Sequence, residues 1–277
     1  AWIQSIRDVT QGEIIAIDGK TLRRSHDRSN KTAAIHMVSA WACDHGLVLG
    51  QLKTEEKSNE ITAIPKLLKL LELNNCIVTI DAMGCQKEIA QTIQDQGADY
   101  VLALKGNQGA LHDDVSLYLN EAINKGELKN AFDYHESTNA DHGRIEIRRY
   151  WICNDVDWLD QHGQWSGLNS IGLAESERHI GDELTMERRY FISSLGNDAQ
   201  QFGNAVRKHW GIENNLHWVL DVAFREDENR VRKDHAPENM TMLRNIALNL
   251  LKQETTLKRG IKTKRLKSGW DESYLFK

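Results

Sequence analysis

Apolar positions in the N-terminal half of the chain come in short uninterrupted runs, whereas those toward the C-terminus recur at three- and four-residue spacing. The first pattern is that of buried strands and the second that of amphipathic helices. Glu13 to Ile17 is such a run and stops at Asp18-Gly19, which predicts a buried strand ending in a turn. AAIHMVSAWAC and GLVLGQLKT, joined by Asp44-His45-Gly46, predict two more strands, so residues 13–53 read as a meander. Ser58-Asn59-Glu60 caps a predicted helix from Glu60 to about Glu72, with Ile61, Ile64, Leu67, Leu68 and Leu71 as its apolar stripe. CIVTID is a second buried strand ending in a carboxylate, Asp81, and leads into a helix from Gln86 to Gln96 and a strand DYVLAL.

The chain opens on AWIQSIRDV, where Trp2, Ile3, Ile6 and Val9 have helical spacing, as if it began inside a longer protein. Residues 130–192 change character: RIEIRRYWIC and RRYFISSL predict strands of an inserted antiparallel β subdomain. After a cap at Asn197-Asp198, AQQFGNAVRKHWGIENNLHWVLDVAF predicts a helix that turns apolar on nearly every side beyond Trp218, with a strand for its last part as the alternative. Pro237 starts a further helix with Met240, Leu243, Ile246, Ala247, Leu250 and Leu251 on its apolar face. Strands alternating with helices after a meander predict an α/β fold, a mixed sheet flanked by helices. The expected division is 1–129, a 130–192 insertion, and a helical 193–277 with a basic end.

Composition changes this picture little. The 277 residues suffice for a large core, and no apolar run approaches the roughly 20 residues of a membrane span. Cys43, Cys76, Cys85 and Cys153 lack zinc or disulfide spacing, which points to core thiols and a cytoplasmic location. A net charge of −5 argues against a general polyanion binder, but Lys252 to Lys267 holds seven cations against Glu254 alone, a local patch that phosphates or solvent would meet.

The candidate chemistry lies in carboxylates. Two apolar strands each end in an aspartate, and paired strands lie about 4.8 Å apart, close enough for two such carboxylates to share a hard cation. A lone aspartate at a strand end more commonly caps a turn. His209, Glu213, His217 and Asp221 recur every fourth residue, drifting about 40° per step on one helical stripe, and a metal ion or an i, i+4 hydrogen-bonded stripe accounts for them. Gly19-Lys20-Thr21 is not the end of a phosphate-binding loop, because Ile14 stands where that loop needs glycine. Neither the second aspartate of an aspartyl-phosphate phosphatase nor the HExxH of a zinc protease is present, although His209, Glu213 and His217 keep a zinc site open.

The runs IDGKTLRRS, IDAMGCQ, LALKGNQ and HWGIENNLHWVLDVAFREDENR, in this order, resemble the DDE insertion-sequence transposases, most closely the H-repeat-associated proteins of enteric bacteria. That resemblance implies a ribonuclease-H-like domain with an inserted β region, and by motif position Asp18, Asp81 and Glu213 as catalytic, metal-holding residues. It implies two Mg²⁺ or Mn²⁺ ions, DNA at transposon ends and target as partner, and a homodimer when active. Where the broader family carries a tyrosine, an arginine and a lysine around the glutamate, this chain has Val206, His209 and Leu220. A rival reading is therefore a truncated, catalytically defective relic that only binds DNA or metal.

On the enzymatic reading, Lys20, Arg23 and Arg24 hold DNA phosphates against a site whose bare acids would repel them; ion pairing on a solvated turn is the bland alternative. Lys105, Asn107, Arg207, Lys208 and His209 are weaker DNA-binding candidates, and Arg144, Arg148 and Arg149 face either DNA or Glu146.

Overall fold

A computed structural model describes residues 12–26, 33–54, 60–126, 132–141 and 143–276. The helix expected over Trp2 to Val9 and the cap at Ser58-Asn59 lie outside them. The chain is mixed α/β, with sheet strands flanked by helices, as the hydrophobic pattern predicts. It packs as two units, Ala1–Glu72 with Trp210–Lys277, and Leu73–His209.

In the first unit, β1 (Ile14–Thr21), β2 (His36–Ala42) and β3 (Leu47–Lys53) form the expected antiparallel meander. Strand β1 does not stop at Asp18-Gly19. It pairs through Lys20 and Thr21 with Met37 and His36. Gly19 is required there by crowding, because a Cβ would collide with the side chains of His36 and Glu60, which hydrogen-bond each other at 2.7 Å. Glu60 opens α1 (Glu60–Leu68), which packs on β2 and β3. The segment after Trp210 is helical to Phe224, with a π turn at Glu213–His217 followed by α5 (Trp218–Phe224). It is not buried on all sides, since Trp218 and Val222 are exposed.

The second unit holds β4 (Ile77–Ile80) parallel to β5 (Asp99–Leu104), with α2 (Lys87–Asp95) on β5. A 3₁₀ turn leads from β5 into α3 (Gly109–Lys125). The strands β6 (Phe132–Asp141), β7 (Arg144–Cys153), β8 (Ser170–Ile180) and β9 (Glu183–Ser193) are antiparallel neighbours, and β9 pairs with β5, so this insertion continues the sheet. Helix α4 (Ala199–His209) starts at the expected cap, where the Gln201 N–H donates to Asp198 Oδ1 at 2.8 Å.

Helix α6 (Ala236–Gln253), in the first unit, begins at the predicted proline but turns a different face inward. Thr241, Asn245, Leu248 and Asn249 are buried, whereas Leu243 is 57% and Leu250 58% exposed. The side-chain amide of Asn249 explains the rotation: it accepts from Val48 N–H at 2.9 Å and donates to Val48 C=O at 2.8 Å, completing the edge of β3. After it come α7 (Ile261–Trp270) and the short α8 (Glu272–Leu275). Much of the expected basic patch is spent internally: Lys264 is buried with its ammonium on the Leu251 and Glu254 carbonyls, and Lys252 lies 4.4 Å over the Trp41 ring.

Asn249→Ala leaves a buried backbone N–H and C=O unpaired, and urea denaturation is expected to show a loss of about 2 kcal/mol, against a change within about 0.5 kcal/mol for the exposed Leu250→Ala.

Candidate metal centre

The site grows out of an apolar cluster in the first unit. Ala16 of β1, Trp41 of β2 and Val48 of β3 pack with Ile212, Leu216 and Leu220, all buried, and with Leu248. Every fourth residue from Ile212 is thus pressed into the core, and the adjacent positions Glu213 and His217 are carried to one side. Two residues beyond Ala16, on the same face of β1, stands Asp18. Asp18, Glu213 and His217 each offer a ligand atom, and these atoms lie within 4.8 Å of one another. His217 Nδ1 is 3.4 Å from Asp18 Oδ2 and 3.7 Å from Glu213 Oε2. The π turn falls on these residues, with Trp218 N–H donating to the Glu213 carbonyl, and such turns frequently accompany functional sites.

Burial raises the Asp18 carboxyl to about 7, and the negative charges of Glu213 and Glu60 add to it, while a hydrogen bond from the Gly19 backbone opposes the rise. The acid therefore resists ionisation. Burial, followed by the charge of Lys20, lowers His217 to about 4, so the imidazole is neutral at neutral pH. Its Nδ1 is available to a carboxylate or, in the other tautomer, to a cation, while its buried Nε2 has no hydrogen-bond partner among the described residues. Two carboxylates and a neutral imidazole at this spacing fit a divalent cation, whose charge would relieve the Asp18–Glu213 repulsion.

Lys20 is on the same face of β1, but its ammonium is occupied. It lies 2.5 Å from Asp221 Oδ1 and 3.0 Å from Glu226 Oε2, with Glu226 also 3.5 Å from Arg244. Sequence reasoning missed this buried network; the only trace is Asp221 one helical turn beyond His217. Arg23, 3.3 Å from Asp227, has an 81% exposed side chain, and Arg24 is exposed.

The other predicted residues lie in the second unit. Asp81 follows β4 and caps the next turn, accepting from Ala82 N–H at 2.7 Å, with Lys105 at 3.5 Å and partly open to solvent. Asn107 donates to the Ala82 carbonyl and closes that turn. His209 ends α4 and hydrogen-bonds Thr79 at 3.0 Å; burial lowers it to about 4 despite the charge of Asp81. The stripe His209, Glu213, His217, Asp221 is thus divided: His209 meets Thr79, Glu213 and His217 meet Asp18, and Asp221 meets Lys20. Arg207 and Lys208 are on α4. Arg149 is held by Glu136, Glu175 and Glu177, and Arg148 by Glu146.

Among the described residues no helix is long and apolar enough to cross a membrane. The chain is 45% identical over 283 residues to the candidate transposase YncI of Escherichia coli O157:H7, covering 99% of this chain and 70% of that protein. It is 43% identical over 280 residues to the H repeat-associated candidate transposase YhhI of Escherichia coli strain K12, covering 99% and 73%. A solved piggyBac transposase in a synaptic complex with hairpin DNA aligns with TM-score 0.45 and 11% identity over 97% of this chain, which spans 51% of that one. The model of the transposase DDE domain matches residues 10–250, and the chain belongs to that family.

Proposed function

We propose that this chain is the catalytic region of a metal-dependent DNA transposase that breaks phosphodiester bonds at insertion-sequence ends and joins them to target DNA, working as a homodimer. The observation that carries this reading is the juxtaposition of Asp18, Glu213 and His217 within 4.8 Å, with Asp18 too poorly solvated to ionise readily without a cation. Asp81 completes the catalytic carboxylates by its place in the motif IDAMGCQ. Asp18, Glu213 and His217, with Asp81, would hold Mg²⁺ or Mn²⁺ as a pair of ions, which would supply Lewis acidity toward a phosphodiester and its nucleophile.

The chain's own residues do the rest. Asp18 and Glu213 are fixed by β1 and by the core packing of Ile212 and Leu216, which removes the cost of orienting them during reaction. The neutral His217 accompanies both carboxylates and favours Mn²⁺, which accepts nitrogen more readily than Mg²⁺ does. Arg23 and Arg24, exposed after β1, meet the DNA backbone, as do Lys105, Arg207 and Lys208 from the second unit. Lys20 serves a different purpose in this geometry: it ties β1 to Asp221 and Glu226 and so holds Asp18 in place.

Mn²⁺-dependent nicking of plasmid DNA is expected to fall at least about a hundredfold in Glu213→Gln and in Asp81→Asn with circular dichroism unchanged. Nicking that survives either change removes that residue from the site, and a wild-type chain that binds Mn²⁺ but never nicks is the relic. Joined products separate strand transfer from hydrolysis.

In the metal-free protein the folded chain keeps a proton on Asp18 between 3.8 and about 7 that the unfolded chain has released. Stability therefore falls as pH rises through that window. Thermal melts in EDTA are expected to show this slope, Asp18→Asn to flatten it, and saturating Mn²⁺ to reverse it.

Lys20→Ala takes the nearer cation from the buried Glu226, leaving it Arg244 at 3.5 Å, and is expected to cost about 2 kcal/mol in urea denaturation, whereas Arg24→Ala leaves stability within about 0.5 kcal/mol and weakens DNA binding.

A further inference from the structure

A cavity of about 580 Å³ lies within the second unit, between α4 and the neighbouring face of β6 and β7. His135 and Ser137 of β6 stand opposite Tyr150 and Arg148 of β7, and α4 contributes Asn204 and Arg207 to the same lining. Gly203 lets α4 approach this closely, because a Cβ there would lie 2.6 Å from the Tyr150 ring. The cavity is thus built by close packing of helix on sheet.

Arg148 is the unusual group in it. The residue is 7% exposed, its Nη2 is paired with Glu146, and its Nη1 is buried with no hydrogen-bond partner among the described residues. Glu146 does not neutralise this region, since the same carboxylate also faces Arg144 at 3.6 Å and Arg178 at 3.4 Å. The cavity's acid, Asp198, accepts the Gln201 N–H as the helix cap. Burial and the positive charge of Arg207 both weaken Arg148's hold on its proton, against the opposing charge of Glu146, so the two guanidinium groups that line this cavity repel each other. An unpartnered charged donor in a buried position is costly, and the ligand that removes the cost is an anion with several acceptor oxygens. The planar guanidinium fork matches phosphate, and Ser137, Asn204 and Gln201 supply further neutral donors.

We propose that this cavity binds a phosphodiester group of a nucleic acid strand, with Arg148 Nη1 and Arg207 as its charged donors. The identification of the phosphate as DNA rests on the transposase reading above. The site itself needs no divalent ion and contains none of the proposed catalytic carboxylates.

The test is anisotropy of a short fluorescein-labelled single-stranded DNA titrated with the full chain in EDTA over a range of salt. Arg207→Gln is expected to weaken binding about tenfold and to lower the slope of log K against log salt by about one, while Lys66→Gln on α1 changes neither. Arg148→Lys keeps the charge but loses the fork, and is expected to weaken binding about fivefold. If that variant does not fold, Arg207→Gln decides alone. Affinity and slope equal to the Lys66→Gln control overturn the proposal. In a parallel NMR titration, inorganic phosphate and the oligonucleotide are both expected to shift the Arg148 side-chain resonance; a shift with phosphate alone overturns the nucleic acid assignment. Arg207-dependent binding in a protein that never nicks would leave this site standing and remove the catalytic reading.

Discussion

The burial of the Asp18 carboxyl beside a second acid, Glu213, is the constraint on which the first unit turns. Two carboxylates held side by side, one of them poorly solvated, are a high-energy arrangement that the surrounding packing must enforce. The enforcement is apolar: Ala16, Trp41 and Val48 on the strands receive Ile212, Leu216 and Leu220, so the backbone that carries Glu213 and His217 cannot turn away without opening the core. A bound divalent cation would convert the same arrangement from a strain into a binding energy, which is how a preorganised metal site differs from an accidental acidic patch.

Lys20 shows how the unit manages its charges. It lies two residues from Asp18 on the same face of β1, yet its ammonium is directed to Asp221 and Glu226. Had it turned to Asp18, the carboxylate would have been neutralised by protein and lost to metal. The buried Glu226, itself also near Arg244, draws the lysine away. The second unit distributes charge the other way: one carboxylate, Glu146, faces Arg144, Arg148 and Arg178, leaving a guanidinium nitrogen of Arg148 with no partner among the described residues. The net charge of −5 conceals both features, because it sums over sites that act locally.

Much was readable from residue order. Strand β4 is four buried residues, and the run CIVTID leaves little alternative to a core strand. The cap at Asp198 and the proline opening α6 were legible because caps and first turns depend on neighbours only a few residues away. Asp18, Asp81 and Glu213 were named by motif position; in the structure Asp18 and Glu213 bring ligand atoms within 4.8 Å of each other, while Asp81 caps a turn of the second unit. Three features escaped. Gly19 looked like a turn residue but is there because the His36–Glu60 pair crowds the strand; the partner is 41 residues away in the chain. The apolar face of α6 was misjudged because Asn249 pairs with the backbone of Val48, and an amide counts as polar in any periodicity argument. The stripe from His209 to Asp221 was divided because the chain is interrupted after His209 and contains a π turn, neither of which a spacing of four residues reveals.

The sequence by itself determined the order and kind of the elements, the family, and the acidic residues worth naming, since hydrophobic period, caps and motifs are local properties. Only the tertiary structure decided which charges meet: that Asp18 faces Glu213 and His217, that Lys20 is taken by Asp221 and Glu226, and that one nitrogen of Arg148 meets no partner among the described residues. Electrostatic partnership depends on distance and burial in space, and residues some 200 positions apart carry no mark in their order of the few ångströms that separate their side chains.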